Sequence, residues 1–337
     1  MMDGVSVIIC CYNSEARLPE TLGHLKKQIT DNLNWEIVVV DNASSDNTFE
    51  LANQILSNTD LKWQVVKEDK PGLIYARLKG EEVSKYDYLL YCDDDNWLAE
   101  NYVQLVFDTL SQNSRIAILG GQGEAVFEDK EPAWFKTFQD GFAVGDQSKS
   151  QDDLSKVDKV YGAGFTLRKS FLTEMRNSGL KSLLTGRTGT NVTSGEDIEL
   201  CFFAMMLGLE VWYDRRLKFK HFMAANRMTW DYMKKLYAGF GKANIYMHAY
   251  NHIKAHNTVP DANLRLPFWL DSFIHKVREI FRFYPKVRKK FDTEGNSDVL
   301  RFIAMKAEAR EIWKLKENYS DLFQHIYFYF NGPRFKE

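Results

Sequence analysis

The chain is short of the features that would place it in several large classes. Its four cysteines in 337 residues, Cys10, Cys11, Cys92 and Cys201, form no CxxC pair and no Cys/His spacing of the zinc-binding kind. Three of them sit in apolar, strand-like runs, so buried and reduced thiols are expected, as in a reducing compartment. An excess of one charge is also missing. With 44 Lys+Arg against 46 Asp+Glu the net charge is −2, and no overall basic field is available to capture nucleic acid. No run of 18 uninterrupted apolar residues occurs, which speaks against a membrane span, and "MMDGVSVIICCYNSE" has no basic segment ahead of an apolar one as signal peptides do. A cytoplasmic protein is the expectation, and the Asn-x-Ser/Thr triplets at Asn42, Asn191 and Asn318 are read as without meaning. Neither internal repeats nor low-complexity segments are present.

What the chain does have is an ordinary globular composition, 45% hydrophobic and 27% charged, with aromatics at 14%. Its length suits one large domain or two. Through the first half, short β-branched runs alternate with helical patterns. "VSVIICC" (5–11) and "WEIVVVD" (35–41) are continuously apolar, as parallel strands covered on both faces are. "WQVVKE" and "YDYLLYC" (86–92) read as the third and fourth strands, and "RIAILGG" continues the series. Between them Leu18, Leu22, Leu25 and Ile29 mark one helix; Phe49, Ala52, Ile55 and Leu56 mark another, with Ser45 as its cap. "GLIYARLKGEEVS" and "NYVQLVFDTLSQ" supply two more. Such alternation implies an α/β fold with a doubly wound, mostly parallel sheet flanked by helices. The pattern turns irregular from about 122 to 195, resumes with the helix "EDIELCFFAMMLGL" and the strand "EVWYD", and is purely helical after about 225. A domain at 1–225 followed by a helical region at 226–337 is therefore expected.

Polar clusters fall where strands end, the edge at which doubly wound sheets bind ligands. Tyr12–Asn13 follow the first strand, Asp41–Asn42 the second, and Asp93, Asp94 and Asp95 the fourth. Three adjacent carboxylates raise one another's pKa unless a positive charge sits among them. A solvated acidic turn is one reading and a bound divalent cation the other; convergence of three clusters on one edge favours the cation.

At "VSVIICCYNSE", "EIVVVDNASSDNT", "KPGLIYARLKG", "YLLYCDDDNWL" and "GEDIELCFFAMMLGLEVWYD" the chain resembles a family 2 glycosyltransferase of the GT-A fold. The five motifs run in family order over residues 5 to about 221, with Cys10-Cys11 standing where the family usually has Pro-Thr. The resemblance implies an inverting transferase that uses a nucleotide-sugar, most simply a UDP-sugar, together with Mg²⁺ or Mn²⁺ held by an Asp-x-Asp element. It places Asp93 and Asp95 on the metal, with His221 as a further ligand, and Asp94 toward the ribose. Cys11, Tyr12, Asn13 and Glu15 match the nucleoside-contacting loop, Asp41 the base-binding aspartate, and Arg77 an arginine near base and phosphates. Asp197 matches the general base, with Glu196 as runner-up. Each has a plainer alternative. Asp41 suits an Asx turn, and Arg77 an ion pair with Glu81. Ser194 and Asp197 suit a capping box, whose helix dipole would lower the Asp197 pKa. Gly162, Ala163 and Gly164 resemble an acceptor-side loop; Trp134 and Phe135 suit either sugar stacking or the core.

The expected acceptor is a glycan or lipid-linked glycan. Between 263 and 291, eight Lys/Arg residues, Arg265 among them, oppose Asp271 and Glu279, interleaved with aromatics from Phe268 to Tyr284. That pattern suits a peripheral contact with the inner face of a membrane, or packing of the helical region onto the catalytic domain. Two other functions stay open: a nucleotide- or glycan-binding module without catalysis, and a nucleotidyltransferase that makes nucleotide-sugars. The latter calls for a Gly-rich loop after the first strand, and "CCYNSEARLPE" contains no glycine.

Overall fold

A computed structural model describes residues 2–184, 195–260 and 266–332. The first half alternates as expected: β1 (Met2–Cys11), α1 (Leu18–Leu25), β2 (Trp35–Asp41), α2 (Thr48–Leu56), β3 (Trp63–Lys67), α3 (Leu73–Val83) and β4 (Tyr86–Asp93). β5 (Asn96–Leu98), α4 (Tyr102–Gln112), β6 (Ile116–Phe127), the single turn α5 (Phe135–Phe138), β7 (Leu154–Lys156), β8 (Thr166–Arg168) and α6 (Lys169–Asn177) follow. The last elements are α7 (Glu196–Met206), β9 (Glu210–Met223), α8 (Trp230–His256), α9 (Phe268–Val287), α10 (Ser297–Leu315) and α11 (Asn318–Asn331).

One sheet runs β3-β2-β1-β4-β8-β6-β9-β5, with β7 also on β9. The strands β3, β2, β1 and β4 are parallel, as is the pair β6/β9; β8, β5 and β7 join antiparallel. The continuous apolar strands have a direct cause. Val5, Val7 and Ile9 of β1 face one core with Leu18, Leu22 and Ala52. Ile8, with Val38 and Val40 of β2, faces the other with Ala76 and Phe203. Both faces are covered, so neither half of the alternation is polar. On α3, Gly80 is required by contact: a Cβ there would lie 2.5 Å from Ile8 Cγ2.

Several local expectations are corrected. Ile29 lies beyond the end of α1 and is 65% exposed. Ser45 does not cap α2; its amide donates to Asn13 Oδ1 (2.8 Å), while Asp46 Oδ1 accepts from the Thr48 amide (3.1 Å). "EVWYD" and "LKFKHFM" belong to one 14-residue strand, β9, because β6 continues to Phe127 and pairs along it. Trp134 and Phe135 are core residues, packed with Phe142 and Trp230.

Among the described residues no strand follows β9. Thr229 caps α8 through the Tyr232 amide, and Asn296 caps α10 through the Val299 amide. The helices pack in two ways: Phe283, Val287, Val299, Phe302 and Met305 of α9 and α10 form a small cluster of their own, while α8 and α11 join the sheet's core. Tyr250, Ile253, Phe323 and Ile326 join Ile8, Val38 and Phe203 in one apolar cluster. α8 and α10 meet so closely that a Cβ on Gly241 would lie 2.3 Å from the Ala304 carbonyl oxygen.

Candidate active site

The carboxyl ends of β1 and β4 open into a cleft of about 950 Å³, whose far wall is made by α7, α8, α9 and α10. Cys10, Cys11 and Tyr12 line it from the end of β1; Asp93, Asp94 and Asp95 line it from the end of β4.

The three aspartates are held differently. Asp94 accepts from Arg17 Nη2 (2.6 Å) and from the Ser14 hydroxyl, and its carbonyl accepts from Thr21 Oγ1 (2.7 Å). It braces the β1–α1 loop while still facing the cleft. Asp95 accepts from Arg227 Nη1 (2.9 Å), and His221 Nε2 lies 3.4 Å from its other oxygen. Against the cost of burial, His221 and Arg227 hold its carboxyl well below the usual range. Asp93 has no side-chain hydrogen bond among the described residues; burial and then the neighbouring Asp95 push it up to about 6. His221 is brought there by strand pairing, opposite Asn96 across β5/β9, and its Nδ1 is buried without a partner.

This set fits a hard divalent cation in chemistry, since the donors are carboxylates and that of Asp93 stays raised although Arg77 and His221 act to lower it. Among the described residues no three His, Cys, Asp or Glu side chains are arranged to hold a metal by themselves. Mg²⁺-type sites ordinarily take one or two carboxylates and complete their shell with substrate phosphates.

Across the cleft, Gly195 in a left-handed conformation (φ 110°) begins α7, and Glu196 and Asp197 occupy its first turn. Asp197 Oδ2 accepts from the Gly162 amide (2.8 Å) and Oδ1 from the Ile198 amide (2.9 Å). The helix dipole does not win here. Burial first, and then Glu196, push Asp197 up to about 6, against the lowering by those amides and Arg77. Arg77 does not pair with Glu81, which instead holds Arg176 at 2.5 Å. Its Nη1 lies 3.5 Å from Glu196 Oε1, and its guanidinium sits over the rings of Tyr91 (5.5 Å) and Phe165 (5.3 Å). Gly162 matters by proximity, since a Cβ there would lie 3.3 Å from Asp197 Oδ2 and 3.4 Å from Arg77 Nη2. α7 is anchored by the buried Glu199, which accepts from Tyr250 Oη (2.7 Å) and the Leu183 amide (2.9 Å). Ser194, and with it the capping-box reading, lies outside the described residues.

The remaining predicted positions divide. Tyr12 is 55% exposed at the rim. Asn13 and Glu15 do not line the cleft; they tie the β1–α1 loop to the start of α2, Asn13 through Ser45 and Glu15 through Asn47 (3.1 Å). Asp41 is buried just behind the cleft, with Oδ1 unpartnered. The adjacent Asn42 lines the cleft and donates to the carbonyls of Glu68 and Lys70. Arg17 and Arg227 were not singled out in the sequence. Nothing in "NSEAR" or "AANR" marks an arginine as bonded to an aspartate more than 70 residues away.

Carboxylates crowded at the strand ends share one cleft with a second carboxylate pair on α7, at the edge where α/β sheets bind ligands. The chain belongs to Glycosyl transferase family 2, whose profile matches residues 6–175. Glycosyltransferase GlyG of Streptococcus pneumoniae serotype 4 is 27% identical over 120 residues, 36% of this chain. That stretch is 39% of GlyG, so the chain spans less than two thirds of this relative. The glucosyl-dolichyl phosphate glucuronosyltransferase of Haloferax volcanii is 21% identical over 243 residues, 71% of this chain and 76% of that protein. The crystal structure of S. aureus TarS 1–349 in complex with UDP-GlcNAc aligns with a TM-score of 0.54 at 14% identity, covering 95% of this chain and 90% of that one. The fold is the GT-A fold with helices added after the sheet.

Proposed function

We propose that the protein is an inverting glycosyltransferase that moves a sugar from a UDP-sugar to a hydroxyl of a glycan or lipid-linked glycan. One observation carries this reading. Asp197, partly buried and raised to about 6, shares a cleft with the Asp93–Asp95 set. At neutral pH such a carboxylate is ionised yet basic enough to accept a proton. The acceptor O–H gives its proton to Asp197 as its oxygen bonds to the anomeric carbon. The anomeric C–O bond to the diphosphate breaks on the opposite face, and the electron pair leaves with UDP. Arg77 steadies Glu196 and keeps Asp197 from rising further. The orphaned Oδ1 of Asp41 suits an imide N–H of uracil, and Cys11 and Tyr12 flank the same end of β1. Asp93 and Asp95, beside His221, would hold Mg²⁺ or Mn²⁺, which when bound supplies positive charge to the diphosphate. The test is UDP release from a panel of UDP-sugars with glycan acceptors. Asp197→Asn is expected to lower turnover by about 10² or more with UDP affinity unchanged. Near-normal turnover by this variant would remove Asp197 from the reaction. Binding of UDP without turnover on any sugar would instead favour the non-catalytic module.

A lipid-linked acceptor would bring the protein to a membrane surface, and α9 sorts the residues that could touch it. Phe268 packs on Tyr319 and Phe323, and Trp269 and Phe273 pack on Trp313. Phe281 is instead 73% exposed, among exposed Arg278, Arg282, Arg288 and Lys289. Arg265 lies outside the described residues. Among the described residues no helix is long and apolar enough to cross a membrane. Flotation with anionic but not neutral vesicles, lost in high salt and weakened by Phe281→Ser, is the expected outcome; no flotation at low ionic strength would overturn it.

A further inference from the structure

The cleft has a second wall that the chemistry above does not use. It comes from α8, α9 and α10, and it adjoins the start of the helix that carries Asp197: a Cβ on Gly195 would lie 3.4 Å from Ala243 Cβ on α8. Four of its side chains form a continuous polar chain across the three helices. Asn244 Nδ2 of α8 donates to Glu308 Oε1 of α10 (2.9 Å). Lys276 Nζ of α9 donates to Glu308 Oε2 (2.8 Å) and to Glu279 Oε2 (2.9 Å). All four line the cleft. Each keeps capacity to spare: the third N–H of Lys276, the amide oxygen of Asn244, and further lone pairs on both carboxylates. One and two turns nearer the start of α8, Phe240 and Tyr237 present rings 5.4 Å apart to the same space.

We infer that this wall is the acceptor subsite and that it takes a neutral pyranose, an inference that rests on the transferase reading for its place in the reaction. A sugar hydroxyl both donates and accepts, which is what a pre-paired Lys–Glu–Asn chain offers, and the C–H face of a pyranose suits an aromatic edge or face. Charge selects the neutral ring. Apart from the aspartates, Glu196 and the arginines and His221 grouped around them, the charged residues of the cleft are Lys159, Lys276 and Arg301 against Asp140, Glu279 and Glu308. Their sum is 3 − 3 = 0. An anionic sugar would meet two carboxylates already committed to the half-buried Lys276, and would find no cation of the helical wall free of a carboxylate's claim on its charge. The same chain also ties three helices together, so the test needs a readout that a tie alone would not move.

Saturation-transfer NMR on the whole chain provides it. The probes are the methyl glycosides of glucose, galactose and N-acetylglucosamine, with methyl glucuronide as the anionic member, each with and without saturating UDP; UDP affinity is measured in parallel. At least one neutral glycoside is expected to bind, with glucuronide weaker. Glu308→Gln and Phe240→Ala should each weaken it roughly tenfold or more, with UDP affinity and melting temperature little changed. Absence of neutral-glycoside binding, preference for the glucuronide, or binding indifferent to both variants would overturn the inference. If UDP binds while the glycoside arm fails, only the acceptor wall falls. If glycosides bind through these residues while UDP does not, the wall stands as a glycan site and the transferase reading falls.

Discussion

The two walls of the cleft hold charge in opposite ways. On the sheet side, taken together with the start of α7 that faces it, Asp93 has no side-chain hydrogen bond among the described residues and is raised to about 6, Asp197 is raised likewise, and Glu196 Oε2 and His221 Nδ1 are orphaned. On the helical side, Lys276, Glu279, Glu308 and Asn244 are mutually paired. A buried polar group without its complement is costly, and such groups cluster where a ligand completes them. A satisfied network costs little and reads shape and hydroxyl pattern. The sheet side is therefore suited to a ligand that brings charge, the helical side to one that brings hydroxyls and a ring.

Breaking the sheet side should produce the largest effect. Asp95→Ala takes the bonded carboxylate from Arg227 and His221 and leaves Asp93 as their nearest counter-charge, and a loss of about 3 kcal/mol in chemical denaturation is expected for such a removal. Tighter or unchanged stability would mean the cations are already solvated. Next is overpacking between the helices of the acceptor wall. Gly241→Ala drives a methyl group toward the Ala304 carbonyl at 2.3 Å and should cost about 1–3 kcal/mol, with UDP affinity nearly preserved. The smallest effects sharpen the assignment of the base. Asp197 must be ionised to accept a proton, so turnover should fall as pH drops through about 6. Because Arg77 lowers and Glu196 raises that pKa, Arg77→Met should move the acid limb to higher pH and Glu196→Gln to lower pH. Were Glu196 the base, Glu196→Gln would abolish turnover instead.

Much of the sheet side was legible in the sequence, because both its signals are local. The continuous apolar runs at 5–11 and 35–41 are strands covered on both faces, and β2 begins and ends at the expected residues. Asp93, Asp95, Asp197, Glu196, Arg77, Cys11 and His221 do gather in one cleft. What was not legible depends on partners distant in the chain. Ser45 looked like a cap, yet Asn13, 32 residues earlier, takes its amide. Asn13 and Glu15 looked available for a ligand, but loop-to-loop bonds occupy them. Arg17 and Arg227 gave no sign of their roles. The helical wall was hidden for the same reason: nothing in the sequence links Asn244, Lys276 and Glu308, which three separate helices bring together.

Calorimetric titration of the whole chain with UDP asks most directly whether the strand-end carboxylates serve a nucleoside diphosphate. The expected result is one UDP per chain in the presence of Mn²⁺, weakened in EDTA and weakened again by Asp93→Asn. Equal affinity in Mn²⁺ and EDTA would remove the cation from Asp93 and Asp95, and no binding of UDP in either condition would contradict the account as a whole.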